Sequence, residues 1–157
     1  MEANSLSLTG TYTCMFIGQF AHNLDDKGRV QVPVKWRSLL AEGAVVTKGF
    51  DGSLKLMAKA RFAALAQELS ELPQSDPLVR AHVRQTLAGA MDVELDKSGR
   101  VVIPPYLRNY ASLKKSVVLA GLSDFIELWD TETWNSYENA IDSSSPEATA
   151  ALKEMGI

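Results

Sequence analysis

Apolar and polar residues alternate along two short stretches of the chain, with Val30, Val32 and Val34 in the first and Val101 and Ile103 in the second. A period of two predicts strands with one buried face. Each stretch is entered through a turn signal, Lys27-Gly28 or Ser98-Gly99, and left at a proline, Pro33 or Pro104, after which a short turn or helix is expected. Two further segments, VVTKGFDGSLKLM (Val45–Met57) and VVLAGLSDFIELW (Val117–Trp129), read as strand, hairpin, strand. Asp51-Gly52 is a hairpin signal.

Elsewhere the period lengthens to that of a helix. Phe62, Leu65, Leu69 and Leu72 recur at helical spacing in AKARFAALAQELSEL. Asp76 is placed as an N-cap with Pro77 at the first helical position, and Leu78, Val79, Val83, Leu87 and Ala90 form one apolar face behind them. Asp130 is expected to cap a helix carrying Trp134, Tyr137 and Ile141, and Ser145-Pro146 to open a last short one.

The chain repeats itself. LDDKGRVQVP (Leu24–Pro33) and LDKSGRVVIP (Leu95–Pro104) agree at six of ten positions, 71 residues apart. The two hairpin segments follow at an offset of 72, so one residue has been inserted between the blocks. Between them lie Lys35-Trp36-Arg37 and Tyr106-Leu107-Arg108, each a basic and apolar segment after a proline. Ordered blocks at nearly constant offset mark a tandem duplication. The expected organisation is an N-terminal extension over 1–14, a first repeat with its helix over 15–75, a linking helix and second repeat over 76–141, and a helical tail over 142–157.

Composition narrows the class. The chain has 157 residues, 46% apolar and 22% charged, enough to bury a core without staples. Its single cysteine, Cys14, allows no intrachain disulfide, which fits a reducing compartment. No apolar run is long enough to span a bilayer, and the first twenty residues lack a basic start, so a cytoplasmic location without membrane contact is expected. The net charge of −3 speaks mildly against nucleic acid unless basic groups gather on one face.

Candidate chemistry is sparse. His22 and His82 stand far apart without a motif, and no nucleophile elbow, phosphate-binding loop or dinucleotide fingerprint is present. The reading is of a non-enzyme with no catalytic residues, no metal, no cofactor and no small-molecule substrate. The repeated turn carries more information. Arg29 and Arg100 each follow an aspartate by four residues, across a glycine, with Lys27 and Lys97 adding charge. Gly28 and Gly99 supply a positive φ, and Asp25 and Asp96 accept turn hydrogen bonds. A local salt bridge, Arg29 to Asp25 and Arg100 to Asp96, is the plain reading of each turn. The alternative is a rigid turn that projects a guanidinium toward guanine O6 and N7 in a major groove, twice over.

MFIGQFAHNLDDKGRVQVP (Met15–Pro33), LDKSGRVVIPPYLRNYA and the GLSDFIELWD run ending at Asp130 resemble the MraZ family of bacterial transcriptional regulators, built from two tandem SpoVT-AbrB-type repeats, each marked D-x-x-x-R. The resemblance covers roughly Met15 to Ile141. It implies an α+β fold, a pseudo-symmetric swapped-hairpin β-barrel from two AbrB-like repeats with flanking helices. It also implies a homo-oligomeric ring that binds double-stranded DNA at short, G-containing direct repeats upstream of the division and cell wall gene cluster, including its own gene, and represses it at the nucleoid. DNA contact is carried over to Arg29, Arg100, Lys27 and Lys97. Turn support is carried over to Asp25, Gly28, Asp96 and Gly99. The chain departs from the family pattern in residues 1–14 and in Ile17, where family members often have a basic residue. A ring-forming protein scaffold and an AbrB-like antitoxin are the alternatives.

Overall fold

The computed structural model describes residues 15–143 and 145–157. The extension over 1–14 and Cys14 therefore lie outside the described residues. The elements, in order, are β1 (Phe16–Asn23), β2 (Arg29–Gln31), a 3-10 helix (Val34–Leu40), β3 (Ala44–Lys48), β4 (Leu54–Ala58), α1 (Lys59–Ser70), α2 (Pro77–Leu87), β5 (Met91–Val93), β6 (Arg100–Val102), α3 (Pro105–Tyr110), β7 (Ser116–Ser123), β8 (Ile126–Asp130), α4 (Thr131–Ser143) and α5 (Ser145–Glu154). The result is a mixed α+β fold. No helix among the described residues is long and apolar enough to cross a membrane.

Strand pairing joins the two repeats rather than keeping them apart. Six antiparallel strands run in the order β1-β7-β8-β4-β3-β5, and β2 and β6 form a separate two-stranded ribbon. Because that order ends at β1 and β5, the six-stranded ladder is open rather than a continuous closed barrel. In the ribbon Val30 faces Val101, its own equivalent in the other repeat, and at the sheet centre Lys55 faces its equivalent Glu127. Both registers are those of a two-fold axis through the molecule. Each outer strand also crosses over: β1 pairs with β7 of the second repeat, and β5 with β3 of the first.

One core results. Val30, Val32, Trp36, Leu40, Leu54 and Leu56 from the first repeat pack among Val101, Ile103, Leu107, Ala111, Ile126 and Leu128 from the second, all 2% exposed or less. These are equivalent positions of the duplication, so each half supplies the apolar surface that the other lacks. Removal of that surface from water is the main force holding the halves together.

The alternation seen in the sequence stops earlier than its valines imply. Pro33 lacks an N–H and cannot extend the ladder. Val34 accordingly opens the 3-10 helix and is 75% exposed, where the sequence pattern placed it on a buried strand face. Pro104 plays the same part before α3. Asp51 (φ 58°) and Gly52 (φ 79°) both take positive φ, as a type I′ hairpin between β3 and β4 requires.

Asp76 and Asp130 cap their helices as expected, Ser145 is already the first residue of α5 rather than its cap, and the helices bury less than expected. The Asp76 carboxylate accepts from the Leu78 N–H at 2.8 Å, with Pro77 at the first position. Leu78 nonetheless stays 80% exposed, and the one buried residue of α2 is Thr86, whose carbonyl accepts from the Thr47 hydroxyl at 2.6 Å. In α1 only Leu69 is buried, and Leu72 lies beyond the helix end. Asp130 accepts from Glu132 N–H at the start of α4 and from Lys114 N–H at 3.0 Å, tying that helix to the loop before β7. Trp134 and Tyr137 of α4 pack on Trp129, with ring centroids 5.4 and 5.1 Å away.

Candidate nucleic-acid interface

The two Asp-x-x-x-Arg turns share one construction. In the first, Asp25 Oδ1 accepts from the backbone N–H groups of Lys27 and Arg29, each at 2.9 Å. The main chain closes through Gly28 N–H to the Asp25 carbonyl and Asp25 N–H to the Arg29 carbonyl, both at 3.0 Å. In the second, Asp96 Oδ1 accepts from Ser98 and Arg100 N–H at 2.9 Å, with the same two main-chain bonds from Gly99 and Asp96. A short carboxylate side chain is the group that reaches two and four residues along the backbone at once. The turning residue then sits at φ +77° (Gly28) or +79° (Gly99), where a Cβ is penalised.

The same carboxylates orient the arginines. Arg29 Nε donates to Asp25 Oδ2 at 2.5 Å, and Arg100 Nε to Asp96 Oδ2 at 2.9 Å. Arg100 Nη1 also lies 3.9 Å from Asp25 Oδ2, so the two turns stand side by side. Nε is thus committed on each arginine, and the terminal amino groups of these part-exposed side chains remain, with Arg100 Nη1 near Asp25. Those groups carry the paired donors a guanidinium uses to grip a planar acceptor pair. Arg29 and Arg100 are about a third exposed, and Lys27 and Lys97 are exposed beside them.

Sequence reasoning missed what stands behind each turn. Arg37 and Arg108 are equivalents, and each lies against the glycine of the other repeat's turn. A methyl group added at Gly28 would come within 2.7 Å of Arg108 Cζ, and one at Gly99 would overlap the Arg37 guanidinium. Gly28 carbonyl accepts from Ile103 N–H at 2.8 Å, and Gly99 carbonyl from Val32 N–H at 2.9 Å. Arg37 is fixed by donating from Nε to the Val32 carbonyl at 2.9 Å. The repeated basic segment after each proline was the available signal, but only the fold shows which glycine each arginine meets. Gly28→Ala and Gly99→Ala are each expected to lower stability by about 1–2 kcal/mol through the left-handed backbone alone, with added loss from displacing the arginine. Urea denaturation measures this, and midpoints equal to the parent's would refute it.

The charge state of the turns follows from their hydrogen bonds. The Asp25 carboxyl is held below its ordinary 3.8 chiefly by the Arg29 backbone N–H, with the Arg29 guanidinium and Lys27 N–H adding to it and partial desolvation opposing. Asp96 is lowered in the same way by Arg100 N–H first. Since the folded values lie below the unfolded one, the stabilisation is present above pH 3.8 and is lost as the pH falls below it. Thermal melts across this range are expected to show a shallower acid dependence in a double Asp25→Asn, Asp96→Asn variant than in the parent. Identical acid slopes would contradict the assignment.

The outer face of the β2–β6 ribbon carries Arg29, Gln31, Arg100 and Val102, while Val30 and Val101 point into the core. Ile17, the departure from the family pattern, is 57% exposed on β1, the end strand of the larger sheet.

Comparison with known proteins agrees with this duplicated arrangement. The family model of the MraZ protein, antitoxin-like in its description, matches the chain twice, over residues 15–85 and 86–154. A protein of Herpetosiphon aurantiacus named transcriptional regulator MraZ is 43% identical over 141 residues, covering 90% of this chain and 96% of that one. One of the same name from Halothermothrix orenii is 40% identical over 143 residues, 91% of this chain and 100% of that one. A third, from Acetivibrio thermocellus, is 41% identical with the same coverage.

Proposed function

The chain belongs to the MraZ family, and from that premise we propose that it is a sequence-specific DNA-binding transcriptional regulator. In this reading it represses the division and cell wall gene cluster, its own gene included, from short direct repeats occupied at the nucleoid by a ring of subunits. The observation that carries the reading is the pair of part-exposed arginines on the outer face of the β2–β6 ribbon, each held at Nε by its own turn carboxylate. Two exposed ribbon strands fit a major groove about 12 Å wide, and arginine pairs with guanine O6 and N7 there. Lys27 and Lys97 beside them serve the phosphates. Asp25, Gly28, Asp96 and Gly99 hold the turns in shape, and the two sheets around one shared core act as a swapped-hairpin barrel, a fused dimer in a single chain.

The acidic total of −3 is no obstacle when the basic groups gather at one end. Direct repeats call for subunits related head to tail, and such an interface closes into a ring when its rotation allows. The exposed Ile17 on end strand β1 and Leu78 on α2 give that interface apolar contacts. Several weak turn contacts on one ring then combine through effective concentration.

The test is a titration of the purified chain against duplexes spanning the DNA upstream of its own gene, at several salt concentrations, with light scattering on the same sample. Tight binding to one duplex, weakening steeply with salt, by a species several times the monomer mass is expected. Equal affinity for all duplexes, or a monomer at every concentration, would overturn the corresponding part.

A further inference from the structure

The two turns are pseudo-equivalent, yet the ribbon positions beside their arginines differ in chemistry. Gln31 and Val102 occupy the same place in the two repeats, and both project outward from the ribbon, Val102 being 50% exposed. Register makes each the cross-strand neighbour of the other turn's arginine: Gln31 faces Arg100, and Val102 faces Arg29. Directly opposed residues on one face have Cβ atoms about 5 Å apart. The outer face is therefore two units, Arg100 with an amide and Arg29 with an isopropyl group.

The amide is anchored. Gln31 Nε2 donates to the Ser98 carbonyl at 3.1 Å, a bond that reaches across from the first repeat to the second repeat's turn. A primary amide has two N–H donors and a carbonyl acceptor. With one donor held by Ser98, the other donor and Oε1 remain, the pair that adenine N7 and N6 accept and supply. Val102 has no polar group to form the matching bond to Lys27 and presents only methyl groups, which suit the C5-methyl of thymine.

We propose that Gln31 and Val102 make the two turns read different bases, Gln31 an adenine beside the guanine of Arg100 and Val102 a thymine beside the guanine of Arg29. This rests on the DNA-binding reading and deepens it. A symmetric pair of turns would read a palindrome, which looks the same from both directions. Unequal turns give each subunit a polarity on the duplex, and subunits arranged head to tail on direct repeats need that polarity.

The experiment is selection of duplexes from a random-sequence pool by the parent, followed by anisotropy titrations of the selected duplex and its single-base variants. The same titrations are run on Gln31→Val, Gln31→Glu and the exchange Gln31→Val with Val102→Gln. The parent is expected to lose roughly tenfold or more in affinity when the adenine is replaced, and Gln31→Val to be indifferent to that change. Gln31→Glu should shift the preference to cytosine, whose amino group a carboxylate accepts. The exchange should move the adenine preference to the guanine of Arg29. Both positions are exposed, and circular dichroism of each variant confirms the fold. A selective parent whose base preferences survive in all three variants overturns this inference alone. A parent that selects no duplex overturns it together with the DNA-binding reading.

Discussion

Arg29→Ala and Arg100→Ala are each expected to weaken binding to the preferred duplex by about 10–100-fold, the range for loss of one bidentate guanine contact, while leaving the chain folded. The fold survives because the main-chain bonds of each turn run to Asp25 Oδ1 or Asp96 Oδ1, not to the guanidinium. What the substitution removes is the Nε bond to Oδ2, part of an ion pair open to solvent, and such pairs add little to stability. Loss should fall on selectivity, since sequence-independent attraction from Lys27, Lys97 and the remaining arginine persists. Arg→Lys at the same positions separates charge from geometry: lysine keeps the cation and loses the planar fork. If Arg29→Lys restores full selectivity, the guanidinium acts only as a charge. If both alanine variants bind like the parent, neither turn touches DNA. Gel shifts and circular dichroism on one sample distinguish these outcomes.

Trp36→Ala is expected to cost about 3–5 kcal/mol of stability, the range for truncating a buried large aromatic. Trp36 is 1% exposed and lies in the 3-10 helix directly after the β2 strand. Its ring meets Phe16 and Phe20 of β1 edge to face, with centroids 5.6 and 5.0 Å away. The damage should therefore spread along β1, whose eight residues are the longest tie between the first repeat and β7. The indole N–H has no partner among the described residues and is buried, so it adds nothing that Trp36→Phe would lose. The phenylalanine variant should accordingly retain most of the stability. Chemical denaturation gives the free energies, and hydrogen exchange on β1 amides reports the local effect. Parent-like stability of Trp36→Ala would show that the core closes without it.

The duplication, the turns, the hairpins and the helix starts were all legible in the chain because each rests on local chemistry. Asp25 and Asp96 each accept from backbone N–H groups two and four residues along their own turns, Gly28 and Gly99 answer a local φ, and Asp51-Gly52 closes a hairpin between adjacent strands. Apolar periodicity misled where a neighbouring residue or a tertiary contact overruled it. Val34 continued the alternation, but Pro33 had already ended the ladder. Leu78 continued an apolar face, yet α2 meets β3 through Thr86.

Two copies of an aspartate-held turn, each leading from a glycine through an arginine into a strand, are written in the residues themselves. That the copies interlock comes from contacts made in three dimensions. The crossing of β1 to β7 and β5 to β3, the facing of Val30 and Val101, and the seating of Arg37 and Arg108 on each other's glycines join residues tens of positions apart. No local preference encodes such pairings. They arise because neither repeat can bury its own apolar face, and the arrangement that buries both sets the two arginine turns side by side.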